Sequence, residues 1–180
     1  SGLAKTAVLI EEAKKENPNT VLVDNGDVIQ GTPLGTYKAI VKPVAENEEH
    51  PMYQAMNALG YDASTLGNHE FNYGLDYLKK IIATANLPIL NANVLDFKTH
   101  QPVFKTYDII TKTFKDSTGR AVALNIGITG IVPPQILNWD KANLEGKVIV
   151  KDSVKAIEEI VPTMRAKGAD VILVLSHSGI

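Results

Sequence analysis

Val171-Ile172-Leu173-Val174-Leu175 is an unbroken apolar run set between Gly168 and Ser176. A strand without polar alternation is expected to be buried on both faces, which requires helices covering the sheet. The chain supplies such helices in alternation with further strand patterns. Asp152 reads as the cap of a helix reaching about Lys167, and Gly168 as its stop. This places the chain in the α/β class, as one domain.

Upstream, Leu3, Ala7, Ile10, Ala13 and Lys14 fall on one side of a helix that ends near Asn17-Pro18-Asn19. Thr20–Asp24 reads as a short buried strand, and Asn25 to Lys42 as a long loop of the length that tends to be functional. A helix over Met52–Leu59 stops at Gly60, and a strand over Ala63–Leu66 runs into Gly67-Asn68. Another helix spans about Leu75 to Ala85, and Leu87–Val94 gives one more strand. Lys105–Thr113 and Ala121–Thr129 form a hairpin around Asp116–Gly119. From Val132 through Trp139 to Gly146 the chain is expected to be irregular.

Composition narrows the function. The 180 residues are 44% hydrophobic and 21% charged, the balance of a globular domain. A formal charge of −2 carries no basic excess, so a long nucleic acid is not an expected partner. With no cysteine, thiolate metal sites and cysteine nucleophiles are excluded. No apolar stretch reaches the about 18 residues of a membrane helix, and no signal peptide is visible.

The chemistry-bearing residues collect where strands end, which is where ligands gather in an α/β sheet. Gly26-Asp27 follows the first strand, Gly67-Asn68-His69-Glu70 the second, and Ser176-His177-Ser178-Gly179 the last. Taken singly, each reads as readily as a turn or cap. Together they bring Asp27, Asn68, His69 and His177 to one sheet edge. A carboxylate, an amide oxygen and neutral imidazoles suit divalent manganese, iron, cobalt or zinc. Two such cations clamp a phosphate and activate a water for in-line attack. A histidine beside the pair, unbound by it, stabilises developing charge or protonates the leaving oxygen. Gly26, Gly31 and Gly67 are expected to let backbone approach metal or phosphate.

In this arrangement, Val23 to Gly31, Leu66 to Phe71 and Ser176 to Gly179 resemble the ordered motifs of calcineurin-like metallophosphoesterases, within them the 5′-nucleotidase group. Asn68 to Leu78, Val132 to Ile136 and Trp139 to Leu144 are most similar to bacterial 2′,3′-cyclic-nucleotide 2′-phosphodiesterase/3′-nucleotidases. Directly after Phe71, where the typical 5′-nucleotidase has Asp, stands Asn72, which favours that branch. The resemblance implies an α/β/β/α sandwich, incomplete at both ends, and a partial catalytic domain over residues 1–180. A C-terminal nucleotide-binding domain is expected beyond it.

The resemblance further implies that Asp27 bridges two divalent metal ions and that Asn68 and His177 bind the second. His69 is the implied catalytic histidine, with Asn72 accepting a hydrogen bond from its ring and so fixing its orientation and tautomer. The family's Asp-x-His and Gly-His-x-His are missing, so the chain alone is expected to bind metal weakly and to be inactive. Asp24 and Glu70 are the substitute ligands should the set prove larger. His50 and His100 are expected at the surface. The implied substrate is a small nucleotide and the implied location is outside the cytoplasm. The alternatives are a 5′-nucleotidase or nucleotide-sugar hydrolase, and a non-catalytic nucleotide-binding domain.

Overall fold

The computed structural model describes residues 2–178; Ser1, Ile180 and Gly179 of the last motif lie outside the described residues. Helix α1 (Gly2–Glu16) is followed by an extended segment in which Val23 makes a parallel bridge to Ala63. The stretch expected as one loop, Asn25 to Lys42, instead holds α2 (Pro33–Thr36) running into a π-helical turn over Tyr37–Val41. Thr32 starts it. Its hydroxyl accepts the Gly35 N–H at 3.0 Å, and Pro33 fills the first helical position, where a missing N–H costs nothing.

Next come α3 (Pro51–Ala58), β1 (Ser64–Thr65), a 3-10 turn over Asn68–Phe71, and α4 (Leu75–Ala83). The strand expected over Leu87–Val94 is divided into β2 (Ile89–Leu90) and β3 (Val94–Asp96). Asn91 divides it, because its side-chain oxygen takes the N–H groups of Asn93 and Val94 away from any ladder. The hairpin β4 (Tyr107–Lys115) and β5 (Ala121–Ile131) turns at Gly119, which has φ +82°. The segment expected to be irregular contains α5 (Ile136–Trp139) and α6 (Lys141–Leu144). β6 (Val148–Val150) then pairs antiparallel with β3, and α7 (Ser153–Ala166) leads into β7 (Val171–Ser176).

The layers follow from residue parity on β5. Ile126, Ile128 and Gly130 face β1 and β2, packing a core with Ala63, Leu90 and Leu175. Gly130 is required there, since a Cβ would stand 1.9 Å from Thr65 Oγ1. Gly127 faces the other way and meets Met164 and Ala169 at the α7 end. On the far side of β1–β2, Tyr53 and Met56 of α3 and Leu75, Leu78 and Ile81 of α4 build the larger core. Helices, sheet, sheet and helix are thus stacked in the expected order.

Among the described residues β7 pairs with β5, with Leu175 buried, Ile172 to Val174 half-covered and Val171 46% exposed. One expectation fails here. His50 is not at the surface but fully buried, its Nδ1 accepting the Met52 N–H at 3.1 Å as the cap of α3. Burial holds its imidazole well below the usual range, at about 4, so the ring is neutral at neutral pH. His100 is exposed as expected.

Candidate active site

The first strand-end loop is bent by two consecutive positive-φ residues, Gly26 at +89° and Asp27 at +65°. The second value is unusual for a residue with a side chain and persists only where its surroundings hold it. Three carboxylates supply that hold. Asp24 Oδ2 accepts the Gly26 N–H at 2.9 Å. Glu70 Oε2 accepts the Asp27 N–H at 2.7 Å and the Gly67 N–H at 2.6 Å, and Oε1 accepts the Val28 N–H at 2.6 Å. Asp27 Oδ1 in turn accepts the His69 N–H at 2.8 Å. The loops after Asp24 and after Leu66 are therefore one hydrogen-bonded unit.

This corrects the reading of Asp24 and Glu70 as substitute ligands, because both are turned into the backbone. Burial raises the pKa of each, and the backbone donors oppose that shift. It also corrects the reason for the glycines. A Cβ on Gly26 would sit 2.3 Å from the Gly67 nitrogen, and one on Gly67 would sit 2.2 Å from Asp27 Oδ1. These glycines let the two loops approach each other. Gly31 has open space around it and needs only its positive φ.

The third loop arrives through Asn25, whose amide donates to the Ser176 carbonyl at 3.0 Å. The Asn25 carbonyl lies 2.7 Å from His177 Nδ1. A carbonyl only accepts, so Nδ1 carries the proton. His177 Nε2 then faces two oxygens, Asp27 Oδ2 at 3.2 Å and Asn68 Oδ1 at 3.0 Å. In the neutral ring all three are electron-pair donors without a hydrogen between them. Such a trio is satisfied by a second ring proton or by a cation.

The donor set fits a divalent cation. A carboxylate, an amide oxygen and an imidazole nitrogen all coordinate such ions, and the His177 ring is already held at Nδ1 by the Asn25 carbonyl, with Asp27 Oδ1 held by the His69 N–H. Among the described residues no three His, Asp or Glu side chains gather into a metal-binding group, so the third donor here is the Asn68 amide.

His69 stands beside this trio and is exposed, its Nδ1 2.7 Å from Asn72 Oδ1. The other end of that amide, Asn72 Nδ2, donates to Asp140 at 3.0 Å and 3.2 Å from its two oxygens. The five residues expected at the site, Asp27, Asn68, His69, Asn72 and His177, thus lie on one edge in two hydrogen-bonded groups. An open cavity of about 260 Å³ adjoins them, lined by Asn68, Pro133, Gln135, Trp139, His177 and Ser178.

Sequence reasoning missed Asn25, Glu70 as a loop tie, and Asp140. Glu70 had a signal, since it stands three residues after Gly67 in the position of a capping-box acid. The other two act across the fold and leave no local pattern.

A family model for calcineurin-like phosphoesterases matches residues 1–180. The chain is 51% identical over 179 residues to the 2′,3′-cyclic-nucleotide 2′-phosphodiesterase/3′-nucleotidase of Salmonella typhimurium, covering 99% of this chain and 28% of that enzyme's length. It is 30% identical over 181 residues to the 5′-nucleotidase of Rattus norvegicus, again 99% of this chain and 28% of the relative. The higher identity falls on the branch that Asn72 favours. The crystal structure of the calcineurin-like phosphoesterase YfkN from Bacillus subtilis superposes with a TM-score of 0.93 at 49% identity, over 98% of this chain and 54% of that one. The chain belongs to the calcineurin-like phosphoesterases.

Proposed function

We propose that this site hydrolyses nucleotide phosphoesters with two divalent cations, opening a 2′,3′-cyclic nucleotide to a 3′-nucleotide and then releasing nucleoside and phosphate. The reading rests on one observation: His177 Nε2 lies 3.2 Å from Asp27 Oδ2 and 3.0 Å from Asn68 Oδ1, so that in the neutral ring its electron pair faces those of both oxygens. Asp27, Asn68 and His177 would hold cation there. When bound, the metals supply charge for the phosphate oxygens and a water of lowered pKa.

The chain's own residues do the rest. His69 keeps Nδ1–H on Asn72, so its Nε2 is the nitrogen free to face the phosphate. In its charged form the His69 ring keeps Nδ1–H on Asn72 and carries a second proton on Nε2. As water oxygen attacks phosphorus, losing its proton to solvent, and the P–O bond to the ribose breaks, the Nε2 proton passes to the departing oxygen and leaves the neutral Nδ1–H ring. Trp139, 60% exposed on the wall of the adjoining cavity, offers a ring face to a base or ribose. Residues 1–180 would form part of the catalytic domain, and the full-length protein would be exported, a point that cell fractionation tests.

The test uses the full-length enzyme with 2′,3′-cyclic AMP, 3′-AMP and 5′-AMP as substrates. Turnover of the first two, abolished by chelator and by Asp27→Asn, is the expected result. Turnover of 5′-AMP alone would move the chain to the 5′-nucleotidases, and no metal-dependent turnover of any would overturn the reading.

A further inference from the structure

The segment from Gln135 to Leu144 is joined to the catalytic turn more closely than its distance in sequence requires. Asp140, itself only 8% exposed, takes the Asn72 side-chain amide on both carboxylate oxygens, at 3.0 Å and 3.2 Å. Asn143 donates to the backbone carbonyls of Phe71 and Asn72 at 3.3 Å and 3.2 Å. Side chain and main chain of Asn72 are both held from the same short helical pair.

An amide has one donor end and one acceptor end. A carboxylate only accepts, so the end of Asn72 facing Asp140 must be the NH2 group. The oxygen is thereby turned to His69, at 2.7 Å from Nδ1. An acceptor at that distance demands a proton on Nδ1. Asp140 therefore decides, through Asn72, which ring nitrogen of His69 carries hydrogen and which faces the site. Without Asp140 the Asn72 amide could turn over, present NH2 to the ring and put the proton on the other nitrogen.

We propose that Asp140 is a positioning residue of this enzyme, acting on His69 only through the Asn72 amide. The proposal rests on His69 being the residue beside the phosphate, as read above.

The ring 15N shifts of metal-free, histidine-labelled full-length protein read the tautomer directly, with His69 assigned by its loss in His69→Gln. The expected result is Nδ1–H in the wild type, with Nε2–H appearing in Asp140→Leu; an unchanged tautomer in a folded Asp140→Leu overturns the proposal. In turnover of 3′-AMP, Asp140→Leu should lower kcat about 10- to 100-fold with KM little changed. In an Asn72→Ala background it should cost nothing more, and additive losses would show a merely structural role.

Should Asp140→Leu fail to fold, a volume-conserving exchange carries the test. Asn72→Asp alone sets two carboxylates face to face and should cost activity, and adding Asp140→Asn should restore it. Failure of the pair to recover overturns the proposal. If His69→Gln itself leaves turnover intact, the functional reading fails instead, while the 15N result stands.

Discussion

The carboxylate of Glu70 accepts the backbone N–H of Asp27 at 2.7 Å, and by that bond the last residue of one motif fixes the backbone of another. Asp27 sits at φ +65°, and the same carboxylate oxygen also takes the Gly67 N–H. Glu70 is fully buried and does no chemistry on substrate in this arrangement. Its task is to hold Asp27 and Asn68 in one frame.

Glu70→Gln tests that task. Glutamine has one acceptor oxygen, and its NH2 group would face an N–H, so at least one of the three backbone donors is orphaned. The expected loss is about 1–3 kcal/mol in urea denaturation, with weakened manganese binding by calorimetry. Full stability with unchanged metal affinity would show that the loops hold without it.

Two glycine substitutions should separate crowding from conformation. Gly31→Ala meets no atom within 4 Å and has only its φ of +95° to bear, at a cost of roughly 1–2 kcal/mol. Gly26→Ala bears a similar φ of +89° and also drives Cβ to 2.3 Å from the Gly67 nitrogen. Thermal melts should place Gly26→Ala well below Gly31→Ala, and metal binding should be lost in the former alone. Equal melts would mean the two loops can separate freely.

His50 should make the fold sensitive to mild acid. Its folded pKa is lowered from 6.5 to about 4, so between those values the unfolded chain binds the extra proton and the folded chain does not. Stability is therefore complete above about pH 6.5 and falls as pH drops toward 4, by about 3 kcal/mol at most. His50→Asn keeps an oxygen to cap α3 and removes the titration. The difference in urea midpoint between pH 7.5 and pH 5 should shrink in that variant. An identical difference would place the acid sensitivity elsewhere.

His177→Gln should weaken manganese binding in the full-length protein while sparing its melting temperature within a few degrees. The ring contacts Asn25, Asp27 and Asn68 at a half-exposed loop end, not in a core. Calorimetry beside a thermal melt reads both. A large fall in the melt with metal affinity intact would make His177 a structural residue.

What the chain dictates by itself is local and short in range. The helix caps at Asp152, the stops at Gly60 and Gly168, the turn at Gly119 and the strand-end positions of Asp27, Asn68, His69 and His177 follow from backbone preference and periodicity. The short helices over Pro33–Thr36, Ile136–Trp139 and Lys141–Leu144 escaped because segments that brief carry little periodic signal. Tertiary structure alone decided the rest: the burial of His50, the inward turn of Asp24 and Glu70, and the reach of Asp140 to Asn72 across 68 positions. Those depend on which groups meet once the layers stack. A hydrogen bond between distant residues needs only one compatible donor and acceptor, and neither leaves a mark on its own sequence neighbours.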